Sequence, residues 1–231
     1  MTPPPVPPAS VTVFSDIVCG WATVALHRFR RARTAAGLDG VLHLDLQPFL
    51  LEDVNGMALN WRTIEPEKPV VGALATELGF TSWQRDLSEY PVTAMPANEA
   101  VQAAKEQSPA AAEELDEALR LAFWRDSRCV SMRHEVLEVA ASCPGVDVDR
   151  LRDALDTGRA RGPMMRSYLD HRDAVQGSPH FFLADGSSVH NPGVEIHQEG
   201  EPGTGFLVVD SDDPAAHDDL VRRAAAAAGV G

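Results

Sequence analysis

The sequence predicts an α/β fold in which an all-helical insertion interrupts the sheet-forming part. Three observations support this prediction. A strand, a helix and a second strand follow one another over residues 11–47. Residues 58–173 then contain only helical patterns, and strand patterns return at residue 180. The predicted order is therefore βαβ, helical insertion, ββα.

The first unit begins with a β-branched and aromatic strand over residues 11–14, which ends before a helix over residues 21–36. Gly37 follows this helix, as glycine commonly does at a helix C-terminus. Residues 41–47 then largely alternate apolar and polar side chains, which is typical of a strand. A strand, helix and strand in this order predict a parallel pair with a right-handed crossover.

The insertion is predicted to hold about five helices. Apolar side chains recur at helical spacing in residues 113–124, 132–141 and 149–155. Prolines separate these segments, as expected between helices. We therefore expect one α/β domain built from residues 11–57 and 174–231, with residues 58–173 as a helical insertion domain.

The remaining segments complete the α/β domain. Residues 180–183 and 188–190 predict an antiparallel hairpin around a turn at Asp185 and Gly186. Residues 193–205 look like a polar loop, residues 206–209 like a short edge segment, and a final helix is expected from Asp213. At the other end, five prolines in the first eight residues predict that residues 1–10 form a disordered, extended tail.

Composition excludes several classes of function. The 34 acidic residues against 20 basic ones give a net charge of −14, which disfavours partners such as nucleic acid and anionic membranes. No apolar run reaches the roughly 20 residues of a membrane helix, and no secretory signal is recognisable, so a cytoplasmic location is expected. Neither metal-ligand spacing nor a glycine-rich phosphate loop is present, which predicts no metal and no nucleotide cofactor.

Cys19 is the candidate nucleophile because it lies where the first strand ends and a helix begins. Unpaired backbone N–H groups and the positive end of the helix dipole stabilise a thiolate at such a position. The pKa of a cysteine placed this way can fall to about 3.5–7.5, from about 8.5 when free. Cys129 and Cys143 have no such placement and are predicted to be buried structural thiols.

Several motifs resemble the DsbA-like branch of the thioredoxin superfamily. They are Cys-Gly-Trp-Ala at residues 19–22, Pro-Phe at 48–49, Gly-Ser-Pro at 177–179, and the segments 95–104 and 122–124 within the insertion. Within that branch, the sequence is similar to cytoplasmic, actinobacterial FrnE-type proteins described as dithiol-disulfide isomerases. The resemblance runs from about residue 11 to residue 228 and implies a thioredoxin-like fold.

The resemblance also implies an active site. It pairs a catalytic Cys19 with Pro179, whose bond to Ser178 would be cis, and the backbone of residue 178 would hold an extended substrate or glutathione. The family's second cysteine is replaced by Ala22, so a local disulfide cannot form. The remaining route is a mixed disulfide on Cys19, resolved by glutathione or another small thiol as co-substrate, with no tightly bound cofactor. The substrate-binding candidates are Gly20, Trp21, Ala22, Ser178 and His180, the last because an imidazolium near Cys19 would lower its thiol pKa.

Two alternatives stay open at this point. The kappa-class glutathione transferases and 2-hydroxychromene-2-carboxylate isomerases share the resemblance and use one residue, usually serine, at the nucleophile position. Loss of the second cysteine is also compatible with a redox-inactive binding module. The partner is accordingly a disulfide-containing or small electrophilic substrate, and the sequence leaves a homodimer open.

Overall fold

The computed structural model describes residues 3–200 and 205–230. Its strands are β1 (Ser10–Ser15), β2 (His43–Pro48), β3 (His180–Phe182), β4 (Ser188–His190), β5 (Val194–Glu199) and β6 (Phe206–Asp212). Its α-helices are α1 (Gly20–Ala35), α2 (Leu51–Val54), α3 (Trp61–Ile64), α4 (Lys68–Gly72), α5 (Met95–Lys105), α6 (Pro109–Trp124), α7 (Arg133–Ala140), α8 (Val148–Thr157), α9 (Arg161–His171) and α10 (Ala216–Ala228). None of the helices in this part of the chain is long and apolar enough to cross a bilayer.

The main sheet has the strand order β2-β1-β3-β4. Strands β1 and β2 are parallel, with Val13 opposite Leu46, and β3 runs antiparallel to β1, with Val13 opposite Phe181. Strand β4 forms a hairpin with β3, and the turn uses Gly186 at a φ of 85°. The predicted parallel βαβ unit and the antiparallel hairpin are both confirmed.

The core joins the sheet to the insertion. Every side chain of β1 is buried, and α1 covers the sheet through Leu26 and Phe29, whose ring stacks on Phe181 at 5.8 Å between centroids. Leu115 and Leu119 on α6 belong to the same buried cluster. The C-terminal end of β1, where Cys19 follows, therefore lies between the sheet and the insertion.

Residues 58–173 contain no strand, and the structure describes all of them. Five helices here have eight residues or more, α5 to α9, and they include the three segments with helical spacing. The short helices α3 and α4 were not predicted, because four or five residues are too few to show a period. The exact limits of an insertion domain stay a prediction.

Two C-terminal predictions are corrected. Much of the stretch expected as a polar loop forms β5, which pairs antiparallel with β6 as a separate ribbon. The rest of that stretch includes residues 201–204, which lie outside the described residues. The ribbon was missed because its side chains are mostly exposed, so it lacks the burial pattern of a sheet strand. The final helix begins at Ala216, because Asp213 bonds the N–H of Ala215 in a preceding turn.

The predicted disordered tail is also corrected for residues 3–10. Pro4 is buried, and Val6 packs against the cluster around Phe14. The hydroxyl of Thr12 donates to the carbonyl of Pro5 at 3.1 Å, and Ser10 already belongs to β1. Proline favours extended backbone, and here that backbone lies against the sheet. Residues 1 and 2 lie outside the described residues.

Candidate active site

Cys19 is the N-cap residue of α1, as the sequence predicts. Its backbone is extended, with φ −91° and ψ 114°, and its sulfur accepts a hydrogen bond from the N–H of Ala22 at 3.4 Å. The hydroxyl of Thr23 donates to the Cys19 carbonyl at 2.9 Å. The side chain therefore satisfies one of the free N–H groups at the helix start.

Ser178 and Pro179 lie directly against Cys19. The Ser178–Pro179 peptide bond is cis. The Cys19 thiol donates to the Ser178 carbonyl, with 3.1 Å between sulfur and oxygen. The Ser178 hydroxyl in turn accepts from the N–H of Asp16 at 3.1 Å, so that both side chain and backbone of residue 178 are tied to the segment before α1.

The side chain of Asp16 fixes the segment between β1 and α1. Its carboxylate accepts hydrogen bonds from the N–H groups of Val18 and Leu51 and from the amide of Asn98, at 3.0 to 3.3 Å. Complete burial nevertheless raises the pKa of Asp16 above its ordinary value, since these bonds only partly offset the cost of desolvation. Asp16 thereby joins the segment between β1 and α1, which is the active-site loop, to α2 and α5.

Two residues of α6 support the same loop. Arg120 donates to the Asp16 carbonyl at 2.7 Å and to the Ser15 hydroxyl at 2.8 Å, and it pairs with Asp116. The indole N–H of Trp124 donates to the Ile17 carbonyl at 3.2 Å. The insertion therefore fixes the backbone that carries Cys19.

Burial corrects the expectation of a stabilised thiolate. Cys19 is 5% exposed, and desolvation raises its thiol pKa from 9.0 to about 11. The Ser178 side chain, the N–H of Ala22 and the positive charge of Arg120 lower the pKa, but burial outweighs them. The helix start is present as predicted, whereas the low pKa that usually accompanies it is not.

A cavity of about 290 Å³ opens beside Cys19, between the α/β part and the start of the insertion. Its volume lies near the lower end of small-molecule sites. Apolar side chains of the segment after β2 form much of its wall, with Glu52 and Glu67 as the acidic groups. The lining residues are Val18, Cys19, Trp21, Leu51, Glu52, Asn55, Met57, Ala58, Leu59, Asn60, Thr63, Ile64, Glu67 and Ser178.

The other residues of the Cys-Gly-Trp-Ala motif have different surroundings. Trp21 is half-buried and lines the cavity. Ala22 is buried, and only its N–H reaches the sulfur. Gly20 faces away, toward Trp124, and a Cβ at position 20 would lie 3.0 Å from the indole. Glycine here permits the close approach of α6, which is a packing role.

His180 does not act as the expected imidazolium beside Cys19. It is 2% exposed in β3, its Nδ1 accepts from the N–H of Gln176 at 3.1 Å, and its ring packs on Phe182. Burial, with a smaller effect of His190, lowers its pKa to about 4. A neutral imidazole cannot stabilise a thiolate by charge, so that expectation is corrected.

The remaining thiols are separate from this site. Cys129 and Cys143 are buried and free, like Cys19, and burial raises the pKa of each. Within residues 3–200 and 205–230, no group of three or more His, Cys, Asp or Glu side chains could hold a metal ion.

Site residues that were not predicted from the sequence include Glu67, Asn60, Thr63 and Met57, which line the cavity, and Arg120, which supports the segment before α1. The first four lie in short helices and irregular segments, where no periodicity identifies a shared face. The sequence signal that could have indicated Arg120 is a basic residue one turn after Asp116 in an otherwise apolar helix face.

Comparison with known proteins identifies the family. The profile of the DSBA-like thioredoxin domain matches residues 10–198, and the chain belongs to this family. No curated protein matches the sequence significantly.

Solved structures share the fold at low sequence identity. The cytosolic disulfide reductase DsbM from Pseudomonas aeruginosa is 16% identical, with a TM-score of 0.59 over 93% of this chain and 95% of DsbM. The structure of DsbM with GSH is 18% identical, with a TM-score of 0.56 over 78% of this chain and 89% of that chain. A probable DsbA oxidoreductase from Streptomyces coelicolor is 20% identical, with a TM-score of 0.64 over 93% of this chain and 89% of that protein. A 2-hydroxychromene-2-carboxylate isomerase is 13% identical, with a TM-score of 0.58 over 78% of this chain and 87% of the isomerase.

Proposed function

We propose that the protein is a thiol oxidoreductase that uses the single cysteine Cys19 in mixed-disulfide exchange. The observation that carries this proposal is the position of the Cys19 sulfur, at the wall of a cavity and 3.1 Å from the Ser178 carbonyl. Residue 22 offers the Cys19 sulfur only its backbone N–H, because the alanine side chain carries no thiol. Exchange must therefore finish with an external thiol.

The reaction has two balanced steps. Cys19–SH attacks a disulfide R–S–S–R′, which forms Cys19–S–S–R and releases R′–SH. A small thiol G–SH then attacks the mixed disulfide, which returns Cys19–SH and releases R–S–S–G. We propose glutathione or another low-molecular-weight thiol for G–SH. A structure of the related fold DsbM contains GSH, which supports this choice.

The proposed setting is the cytoplasm, where small thiols are abundant and keep cysteines reduced. The three free cysteines and the similarity in fold to a cytosolic reductase support it. The proposed substrate-binding residues are Trp21, which lines the cavity, and Ser178, which presents its backbone beside Pro179. We propose that Gly20, Ala22 and His180 support the site through packing and backbone position.

Reaction with glutathione disulfide tests the proposal. We expect a glutathionyl adduct on Cys19, found by peptide mass spectrometry, and its release by added glutathione. Cys129 and Cys143 serve as internal controls because they are also buried free thiols and do not line the cavity. An adduct that forms equally on all three thiols, or on none, would contradict the proposal, and the second result would favour a binding module.

A second candidate is a glutathione-dependent transferase or isomerase of small apolar substrates. The observation that favours it is the apolar part of the cavity wall, formed by Met57, Leu59 and Ile64. Conjugation of glutathione to chlorodinitrobenzene tests this candidate. We expect turnover that Cys19→Ser retains if residue 19 only positions bound glutathione, and no turnover if disulfide exchange is the function.

A further inference from the structure

Glu67 is a half-buried carboxylate in the wall of the Cys19 cavity. It ends the 3₁₀ turn Glu65–Glu67, after α3, and lines the same cavity as Cys19. Among the described residues, no hydrogen bond or ion pair offsets its burial, which raises its pKa from 4.5 to about 7. Its protonation state therefore changes at neutral pH.

The charged groups around Glu67 are engaged elsewhere. The ammonium of Lys68 pairs with Glu65 at 2.9 Å and donates to the Thr81 carbonyl at 3.0 Å. Tyr90 donates to Glu65 at 3.2 Å, and the negative charges of Glu65 and Glu67 add to the burial that raises its pKa. No cation thus neutralises Glu67 within the described structure.

Glu52, the other carboxylate of the cavity, differs from Glu67. It accepts a hydrogen bond from the Thr93 hydroxyl at 2.7 Å, and burial together with the charge of Asp16 raises its pKa. The charge of Glu67 is one of the main influences on the Cys19 thiol, whose pKa it raises, and Glu67 is the carboxylate among those influences.

A proton acceptor near Cys19 would speed its reaction at neutral pH, because very little of the thiol is ionised there. With a pKa of about 11, only about one Cys19 thiol in 10⁴ is ionised at pH 7. The N–H of Ala22 and the charge of Arg120 stabilise a thiolate but cannot accept its proton. The Ser178 carbonyl holds the S–H group in a hydrogen bond, but it is far too weak a base to take the proton.

We propose that the Glu67 carboxylate is the general base that accepts the Cys19 thiol proton, directly or through one water, during attack on an electrophile. The inference rests on the proposed function, because it takes Cys19 as the nucleophile. In exchange with R–S–S–R′, the proton passes to Glu67, the Cys19 sulfur bonds to one sulfur of the disulfide, and the old S–S bond breaks. The leaving R′S⁻ takes the proton from Glu67 and departs as R′SH, so Cys19 is oxidised and R′ is reduced.

Alkylation of Cys19 by iodoacetamide across pH 5–10 tests the role of Glu67 without any disulfide. The wild-type rate constant should rise in a step with a midpoint near pH 7, as Glu67 ionises, and rise again as the pH approaches the thiol pKa. Glu67→Gln should lack the step and react about 100-fold more slowly at pH 8. If Glu67 only opposes the thiolate by its charge, Glu67→Gln will instead react faster than wild type, which overturns the proposal.

Two further variants complete the test. Glu67→Asp keeps a carboxylate one methylene further away, so the step should survive at reduced height even if the glutamine variant folds poorly. Glu52→Gln is the matched control and should keep the step near pH 7. Its loss there would overturn the assignment to Glu67.

The same samples, treated with glutathione disulfide, separate the two proposals. If the wild-type protein forms the mixed disulfide but its alkylation profile lacks the step near pH 7, the proposed role of Glu67 is overturned and the proposed exchange is not. An intact, Glu67-dependent step without any mixed disulfide overturns the proposed exchange, and leaves Cys19 and Glu67 as a nucleophile and base for another electrophile.

Discussion

Cys19 shows how the surroundings of one side chain can reverse the effect of its local position. A helix start favours a thiolate through free N–H groups and the dipole. The Cys19 side chain is only 5% exposed, and this burial disfavours a charged sulfur. Burial has the larger effect on the thiol pKa here. The cysteine is therefore stored as a neutral thiol hydrogen-bonded to Ser178.

The ionisation of Cys19 gives the first prediction. Because burial raises the thiol pKa to about 11, no thiolate on Cys19 should form below about pH 9 in the absence of substrate. The measurement is the ultraviolet absorbance of thiolate in the wild type minus that of Cys19→Ser, which cancels tyrosine and the other two thiols. A thiolate midpoint below 8.5 would show that the site is more open to water than the structure indicates.

At the scale of elements, the first turn of α1 determines what residue 22 can do. The Ala22 N–H already lies 3.4 Å from the Cys19 sulfur, so its side chain lies within disulfide reach of residue 19. Ala22→Cys should therefore form an intramolecular disulfide on oxidation, detected as the loss of two free thiols and two hydrogens in mass spectrometry.

The buried position of Ala22 affects the stability of that variant. Ala22 is 0% exposed, so the added sulfur should cost about 1–3 kcal/mol of unfolding free energy in the reduced form. Ala25→Cys, one turn further along the same helix, is the control and should form no disulfide with Cys19. A variant at position 22 that keeps both thiols free under oxidant would place Cys19 away from the helix start.

The contact between α6 and the loop before α1 gives a prediction about stability. Arg120 is 2% exposed, pairs with Asp116 and donates to the Asp16 carbonyl. Arg120→Met leaves Asp116 with Arg30 alone and removes the bonds to the loop, so unfolding in urea should show a loss of about 3–5 kcal/mol.

Arg222→Met is the matched control for Arg120→Met. Arg222 pairs with Asp219 on the exposed face of α10, where an ion pair contributes about 0–1 kcal/mol. The two variants lose the same chemical group in different surroundings. Equal losses of unfolding free energy would contradict the view that the insertion supports the active-site loop through Arg120.

At the scale of the whole molecule, buried histidines make stability depend on pH. Burial, with a smaller effect of Arg28, lowers the pKa of His217 from 6.5 to about 4 in the folded state. Between these values the unfolded chain binds more protons than the folded chain, so the unfolding free energy falls as the pH drops from 6.5 toward 4. His217 should account for a loss on the order of 3 kcal/mol over this range.

Urea unfolding at several pH values measures this effect. His217→Leu should reduce the slope of unfolding free energy against pH between 4 and 6.5, and the slope that remains includes His180. His197→Asn is the control, because bonds to Asp210 raise the pKa of His197 and place its contribution above pH 6.5. An unchanged slope in His217→Leu would mean that His217 is hydrated in the folded state.

Local patterns along the chain encode several parts of this protein. Alternation and β-branched residues predicted β1 and β2, the hairpin of β3 and β4 followed from its turn, and the position of Cys19 at a helix start followed from where the first strand ends. The family was identified from short motifs in the right order, and the profile over residues 10–198 confirms it.

The chemistry of the site depends on contacts between segments that are distant in the sequence. The pKa of Cys19 depends on how completely segments far away in the sequence exclude water from it, and residues 51–67 and 178 form that enclosure. The same folding brings Glu67 to the cavity and buries His180 away from it. Strand and helix-cap patterns involve neighbours along the chain and can be read locally. Burial and the effects of nearby charges involve neighbours in space, which local sequence patterns do not reveal.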